Sequence, residues 1–208
     1  MRLRNVKNAK DIVNNNPYVL NNPEKYKGNF QQIFSNNHPI NLEIGMGKGD
    51  FIIGMALKYP EINFIGIEKY ESVMVRALEK LNDLELPNLK LIRYDATNID
   101  NLFDKEINTL YLNFSDPWPK ARHAKRRLTS PIFLEKYDKI FSGQAEIIQK
   151  TDNLDLFAYS LQSLNNYGYK FIKVSLDLHN EEIINVETEY EKKFTEKGFK
   201  INYLHAKK

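Results

Sequence analysis

Five residues of strand-forming sequence, Ile40-Asn-Leu-Glu-Ile44, run straight into Gly45-Met-Gly-Lys-Gly49 and then into an apolar helical stretch reaching about residue 58. A strand, a glycine turn and a helix in immediate succession leave few options, because the helix must return over a sheet whose next strand lies parallel to the first. The alternation then repeats. Residues 62–67 read as a second strand ending in Glu68, and 71–83 carry Val73, Ala77, Leu78 and Leu81 at helical spacing. A third strand at 89–92 leads to Asp95, and a fourth at 107–114 leads to Asp116. A helix over roughly 131–141 has Pro131 at a permitted first position, and a fifth strand is expected at 145–148. Leu154, Phe157, Leu161 and Leu164 stripe another helix, and a strand at 169–176, a helix at 188–197 and a strand at 199–204 close the chain. The pattern predicts an α/β fold, a doubly wound, mostly parallel, Rossmann-like sheet with an antiparallel C-terminal edge.

Residues 1–38 break this rhythm. They are polar and rich in asparagine, with Arg2, Arg4, Lys7 and Lys10 at the start. They read as an irregular or partly helical arm, either a disordered basic terminus or a source of extra phosphate contacts, ahead of a single domain over 39–208.

In a doubly wound sheet, ligands bind beyond the C-terminal strand ends, where the strand order reverses. Glu43, Glu68, Asp95 and Asp116 fall at four successive strand ends and would line one rim. Gly45, Gly47 and Gly49 allow positive φ and close backbone approach of a ligand to a helix N-terminus. Glu68 follows Gly49 by 19 residues, near the ~20-residue offset at which an acid takes ribose hydroxyls. The Gly-x-Gly-x-Gly spacing is not that of dinucleotide sites. With acids on both sides, it favours a nucleoside whose other end is cationic, and S-adenosylmethionine has that chemistry. Lys48 opposes the helix dipole, so it points to solvent or faces the ligand's carboxylate.

The fourth strand runs into Asn113-Phe-Ser-Asp-Pro-Trp-Pro-Lys120, and Arg122, His123, Lys125, Arg126 and Arg127 follow. Pro117 and Pro119 restrict the backbone around Trp118 to a turn. A carboxylate, a stiff aromatic turn and a cationic flank suit a base with its phosphates, whereas a solvated helix start would explain the charges alone. Trp118 either stacks on an extruded base or only packs the turn. Farther on, Thr188-x-x-Glu191 reads as a capping box, and Asp152 as a cap for the helix after it.

Composition narrows the classes further. With no cysteine there can be no disulfide, thiolate metal site or cysteine nucleophile, and His38, His123, His179 and His205 have no metal-ligand spacing. No metal is expected. A net charge of +3 means that nucleic-acid affinity has to come from local clustering. No apolar run approaches the ~18 residues of a membrane span, which points to a soluble, cytoplasmic protein without a membrane partner. The oligomeric state, monomer or homodimer, stays open.

Taken together, these segments resemble a known family. Glu43-Ile-Gly-Met-Gly-Lys-Gly49 resembles motif I of class I S-adenosylmethionine-dependent methyltransferases. The run Asn113–Lys120 with Arg122–Arg127 resembles the signature of bacterial tRNA (guanine-N7)-methyltransferases, and Lys150-Thr-Asp-Asn153 and Thr188-Glu-Tyr-Glu-Lys-Lys-Phe194 are similar to that family's later motifs. Ser115 stands where many members have proline. The resemblance implies methyl transfer from S-adenosyl-L-methionine to N7 of a guanine in the tRNA variable loop, position 46 of the tRNA. It further implies cofactor contacts by Glu43, Gly45, Gly47, Gly49, Glu68, Asp95 and Asp116, with Asp116 also catalytic. Substrate contacts would come from Lys120, Asp152, Thr188, Glu189, Tyr190 and Glu191, and RNA contacts from Arg122, His123, Lys125, Arg126 and Arg127. Competing readings are a class I methyltransferase acting on an exocyclic amine of another base, a nicotinamide-dependent oxidoreductase and a module that only binds RNA.

Overall fold

A computed structural model describes residues 6–208; Arg2 and Arg4 of the basic terminus lie outside the described residues. The strands are β1 (Ile40–Ile44), β2 (Asn63–Glu68), β3 (Leu89–Arg93), β4 (Ile107–Asn113), β5 (Phe141–Thr151), β6 (Lys170–Ser175) and β7 (Asn202–Lys207). The helices are α1 (Ala9–Asn15), α2 (Asp50–Lys58), α3 (Glu71–Lys80), α4 (Ile99–Leu102), α5 (Pro131–Ile140), α6 (Leu154–Asn166) and α7 (Glu189–Thr195).

One sheet runs in the order β3-β2-β1-β4-β5-β7-β6. Every pairing from β3 to β5 is parallel, while β7 lies antiparallel between β5 and β6. This is the doubly wound sheet with an antiparallel edge that the alternation predicts. The order reverses between β1 and β4, so the ligand crevice is expected above these two strands.

Strand alternation sends successive side chains to opposite faces. Leu42, Ile44, Ile65, Ile67, Leu110 and Leu112 join the core that includes residues of α4, α5 and α6. Phe64, Leu89, Leu91 and Tyr111 join the core that includes residues of α1, α2 and α3. Asn41 and Glu43 lie between the first set in β1, and the Asn41 Nδ2–Tyr111 Oη bond (3.4 Å) puts them on the α2 side.

Differences from the sequence-based boundaries fall where neighbours decide. β5 begins immediately after α5, because its first residues pair with Ile107 and the chain end rather than extending the helix. β7 lies about three residues later than expected. Gly198 turns the chain at φ 81°, and Phe199 packs against Phe194 at 5.3 Å instead of entering the sheet. The asparagine-rich segment before β1 is built into the fold. Val19 bridges Leu91, the Tyr18 hydroxyl donates to the Leu84 carbonyl, and Phe30 and Phe34 are buried in the main core. Among the described residues, no helix is long and apolar enough to cross a membrane, and no group of three acids or histidines is placed to hold a metal.

Candidate active site

The end of β1 sets the first element. Glu43 is buried, and its Oε1 accepts from Asn113 Nδ2 of β4 at 2.8 Å. Glu43 Oε2 and Asn113 Oδ1 have no partner within the chain. Burial pushes the Glu43 carboxyl from 4.5 up to about 7, against the pull of Asn113 and Lys150. Two unpartnered buried acceptors side by side at the switch point are a costly arrangement unless a donor arrives.

The glycine loop crosses next to this pair. Gly45 (φ 76°) and Gly47 (φ 57°) have open space where a Cβ would stand, so backbone can meet a ligand there. Gly49 has a different cause. A Cβ at Gly49 would fall 2.8 Å from the Ala77 Cβ, so this glycine allows α2 to pack against α3. Glu68, at the end of β2, accepts from Gly47 N at 3.2 Å and Tyr70 N at 2.9 Å. Burial raises its pKa despite these bonds, and the charge of Asp116 adds to the rise. Glu43, Glu68 and Asp116 therefore share one electrostatic neighbourhood.

Asp95 follows β3 next to this group, since the N–H of Tyr94 donates to the Glu68 carbonyl at 3.1 Å. It pairs with Lys69 at 2.7 Å and accepts from Thr97 N and Oγ1, and Lys69 holds its carboxyl down at about 2. It forms one wall of a hollow of about 820 Å³ whose other side is the segment around residues 13–24. Lys69 and Tyr70, which follow Glu68, also line it, and Glu43 does not.

The turn carrying Asp116 is held in an unusual shape. Phe114 (φ 51°) and Trp118 (φ 43°) both adopt left-handed backbone, a strain that persists only when the surroundings enforce it. At Trp118 the enforcement comes from Arg127. Its Nε donates to the Pro117 carbonyl at 3.0 Å, its terminal nitrogen to the Trp118 carbonyl at 3.1 Å, and its guanidinium lies over the Tyr159 ring at 4.3 Å. Asp116 itself is exposed. Arg126 covers the Trp118 ring at 4.8 Å and His123 meets it edge-on at 5.8 Å. Lys120, Arg122 and Lys125 are exposed on the same lip.

A strap from the C-terminal part of the chain closes the far side. The capping box is present: Thr188 Oγ1 accepts from Glu191 N at 2.9 Å, and Glu191 Oε2 accepts from Thr188 N at 3.4 Å. Asp152 is not the cap of α6; Asn153 takes that role by accepting from Leu156 N at 2.8 Å. Asp152 instead accepts from the Tyr190 hydroxyl at 3.1 Å, and the Tyr190 ring lies 5.0 Å from Phe114. Lys48 pairs with Glu189 at 2.7 Å, which resolves the conflict with the α2 dipole.

Reasoning from sequence overlooked Asn113 as the partner of Glu43, and also Lys150. Lys150, the last residue but one of β5, is buried at 2% exposure and donates to Glu191 Oε2 at 2.6 Å. The only available signal was a lysine at the C-terminal end of an apolar strand, next to the Thr151-Asp152 motif.

This donor set fits S-adenosyl-L-methionine. The unpartnered Glu43 and Asn113 oxygens suit an ammonium, the open glycines suit close approach of the amino-acid part, and Glu68 suits vicinal hydroxyls.

Comparisons with known proteins agree. A family model described as "Putative methyltransferase" matches residues 37–204. The chain is 51% identical to a Bacillus cytotoxicus protein named tRNA (guanine-N(7)-)-methyltransferase, over 100% of this chain and 97% of that protein. A protein of the same name from a Geobacillus species is 53% identical, over 100% and 96%. A solved structure of an S-adenosylmethionine-dependent methyltransferase from Aquifex aeolicus covers 96% of each chain at TM-score 0.56 and 17% identity, a likeness of fold. The chain belongs to the tRNA (guanine-N7-)-methyltransferase family.

Proposed function

We propose that the cleft between β1 and β4 transfers a methyl group from S-adenosyl-L-methionine to N7 of a variable-loop guanine in tRNA, in the cytoplasm. The observation that carries this is the unpartnered Glu43–Asn113 acceptor pair, set beside a strained turn that presents Asp116. When bound, S-adenosyl-L-methionine supplies an electrophilic methyl group on a sulfonium. Glu43 and Asn113 hold the ammonium, Glu68 takes ribose hydroxyls, and Gly45 and Gly47 leave the backbone room to approach. Asp95 and its Lys69 pair bound the nucleoside end.

Guanine N7 has a free lone pair and no proton at neutral pH, so no residue needs to act as a general base. The chain's task is to orient the base and answer the positive charge that develops on its ring. Orientation alone can lower the barrier by up to ~7–11 kcal/mol. Asp116 accepts hydrogen bonds from the Watson–Crick edge and offsets the ring's charge. Lys120, Arg122, Lys125 and Arg126 engage phosphates, and His123 supports Trp118. Trp118 offers a stacking face to the extruded base once Arg126 moves to a phosphate, a contact worth ~1–3 kcal/mol. Thr188, Glu189, Tyr190 and Asp152 form the opposite wall. The Glu191 carboxylate is fully buried and consumed by internal bonds, so its part is to shape that wall. Incubation with labelled cofactor and bulk tRNA, followed by nucleoside mapping, tests this. Label in 7-methylguanosine from the variable loop is expected, and label in an exocyclic amine would overturn it.

A further inference from the structure

The hydrogen bonds of Lys150 go neither to Glu43 nor to Asp116, although its charge lowers the Glu43 pKa. Its ammonium donates to Glu191 Oε2 at 2.6 Å, the Val186 carbonyl at 2.9 Å and Asn185 Oδ1 at 3.0 Å. An ammonium has three protons, and all three go to one segment, residues 185–191. The rings of Phe51 and Phe114 lie 4.9 Å and 6.0 Å from the nitrogen. Glu191 Oε1 in turn accepts from Asn185 Nδ2 at 2.6 Å and faces His179 Nε2 at 3.2 Å.

The same segment is fastened at its rim. Val186 presses on Gly54 of α2 so closely that a Cβ there would come within 2.6 Å. Glu189 reaches Lys48 of the glycine loop, and Tyr190 reaches Asp152 and Phe114. Residues 185–191 thus form a strap from the glycine loop to the end of β5, across the mouth of the cleft. The rim pairs are exposed and individually weak. The Lys150 attachment is buried, with little water to compete for its bonds.

We infer that Lys150 is a positioning residue whose buried ammonium fixes this strap, so that Thr188, Glu189 and Tyr190 stand as the far wall of the guanine pocket. This rests on reading the cleft as a guanine-methylating site. Lys150 touches no reacting atom, and its effect passes through the strap.

Two variants test it. Lys150→Met removes the donor, and Asn185→Ala removes one acceptor of the ammonium and one donor to Glu191 while leaving the Lys150–Glu191 pair in place. The measurements are KM and kcat for tRNA, cofactor Kd by calorimetry, and amide hydrogen exchange along 183–195. Both variants are expected to raise KM for tRNA, Lys150→Met by about tenfold or more and Asn185→Ala by less, with faster exchange in the strap. Exchange in β1 and β4 should hold, and cofactor Kd should weaken only as far as Glu43, which Lys150 helps to keep ionised, takes up a proton, a loss that raising the pH reverses. A fall in kcat with strap exchange unchanged would mean that the ammonium acts on the reaction itself and would overturn the inference. Unchanged KM and exchange would overturn it too, since the strap would then stand unaided. Should Lys150→Met fail to fold, Asn185→Ala decides on the same two readouts. A wild-type protein that methylates no tRNA guanine would defeat the functional reading, while strap exchange would still decide whether Lys150 holds the strap.

Discussion

Replacing Glu43 with glutamine keeps the side chain's shape and the hydrogen bond from Asn113 while deleting a charge that is only 1% exposed. In the unfolded chain this carboxyl loses its proton near 4.5, and in the fold burial delays that to about 7. Between those values the folded chain holds a proton that the unfolded chain has released, so stability falls as pH rises through the window. Above about 7 the loss is complete, at about 3 kcal/mol. Glutamine does not titrate and escapes it. From pH 5 to pH 8 the stability of Glu43→Gln relative to wild type should therefore rise by about 2–3 kcal/mol, read from urea unfolding of cofactor-free protein. Taking the difference between two pH values cancels any pH-independent packing cost of the amide. Cofactor binding should respond with the opposite sign, because only ionised Glu43 attracts an ammonium. Wild-type affinity should rise about tenfold from pH 5.5 to 7, below the range where an α-amino group titrates, while the variant binds weakly and without that rise. Parallel stability curves for the two proteins, or identical pH dependence of binding, would refute the assignment of a desolvated acid awaiting a cation.

Asp116→Ala should cut the methylation rate by about 100-fold or more while cofactor affinity, measured by calorimetry, changes far less; near-normal turnover would remove Asp116 from the chemistry. Arg126→Ala should lower the slope of log affinity for tRNA against log salt by about one, because an exposed arginine lost from the lip is one phosphate contact fewer. Arg127→Ala should leave that slope intact and instead lower stability by about 1–3 kcal/mol, since the Pro117 and Trp118 carbonyls lose their donor. Gly49→Ala should destabilise the protein by about 1–3 kcal/mol, given φ 79° and the 2.8 Å approach to Ala77, whereas Gly45→Ala should show its larger effect in cofactor Kd.

The sheet could be read from sequence because its strands are short, apolar and closed by an acid or a glycine, signals that depend only on local periodicity. Glu43, Glu68 and Asp116 could be placed for the same reason, since a strand end is a local event. Lys150 could not. Its burial depends on Glu191, 41 residues later, and a lysine ending an apolar strand otherwise reads as the point where the chain meets water. Asn113 was hidden likewise, its meaning set by Glu43 some 70 residues earlier. Nothing local distinguishes Arg127 from Arg126, yet one clamps the turn and the other lies over Trp118. Phe30 and Phe34 lie in a stretch whose asparagines dominate its composition, and only the folded sheet reveals that the core includes them.

The buried charges make sense as a set. Glu43 and Glu68 are both held above their ordinary pKa by burial, so the cleft keeps two acids in an environment that disfavours their charge. In the proposed reading, the ammonium and sulfonium of the methyl donor, which with its carboxylate carries a net charge of +1, relieve that penalty on arrival, whereas a neutral nucleoside does not. After transfer the positive charge sits on the base, and the spent donor is a neutral thioether with one cationic group fewer. In the same reading, the attraction that gathers the donor weakens when the reaction is over, which favours release of the spent form. In this chemistry, where no proton has to be removed, the arrangement of buried charge takes the place that an acid–base pair holds elsewhere.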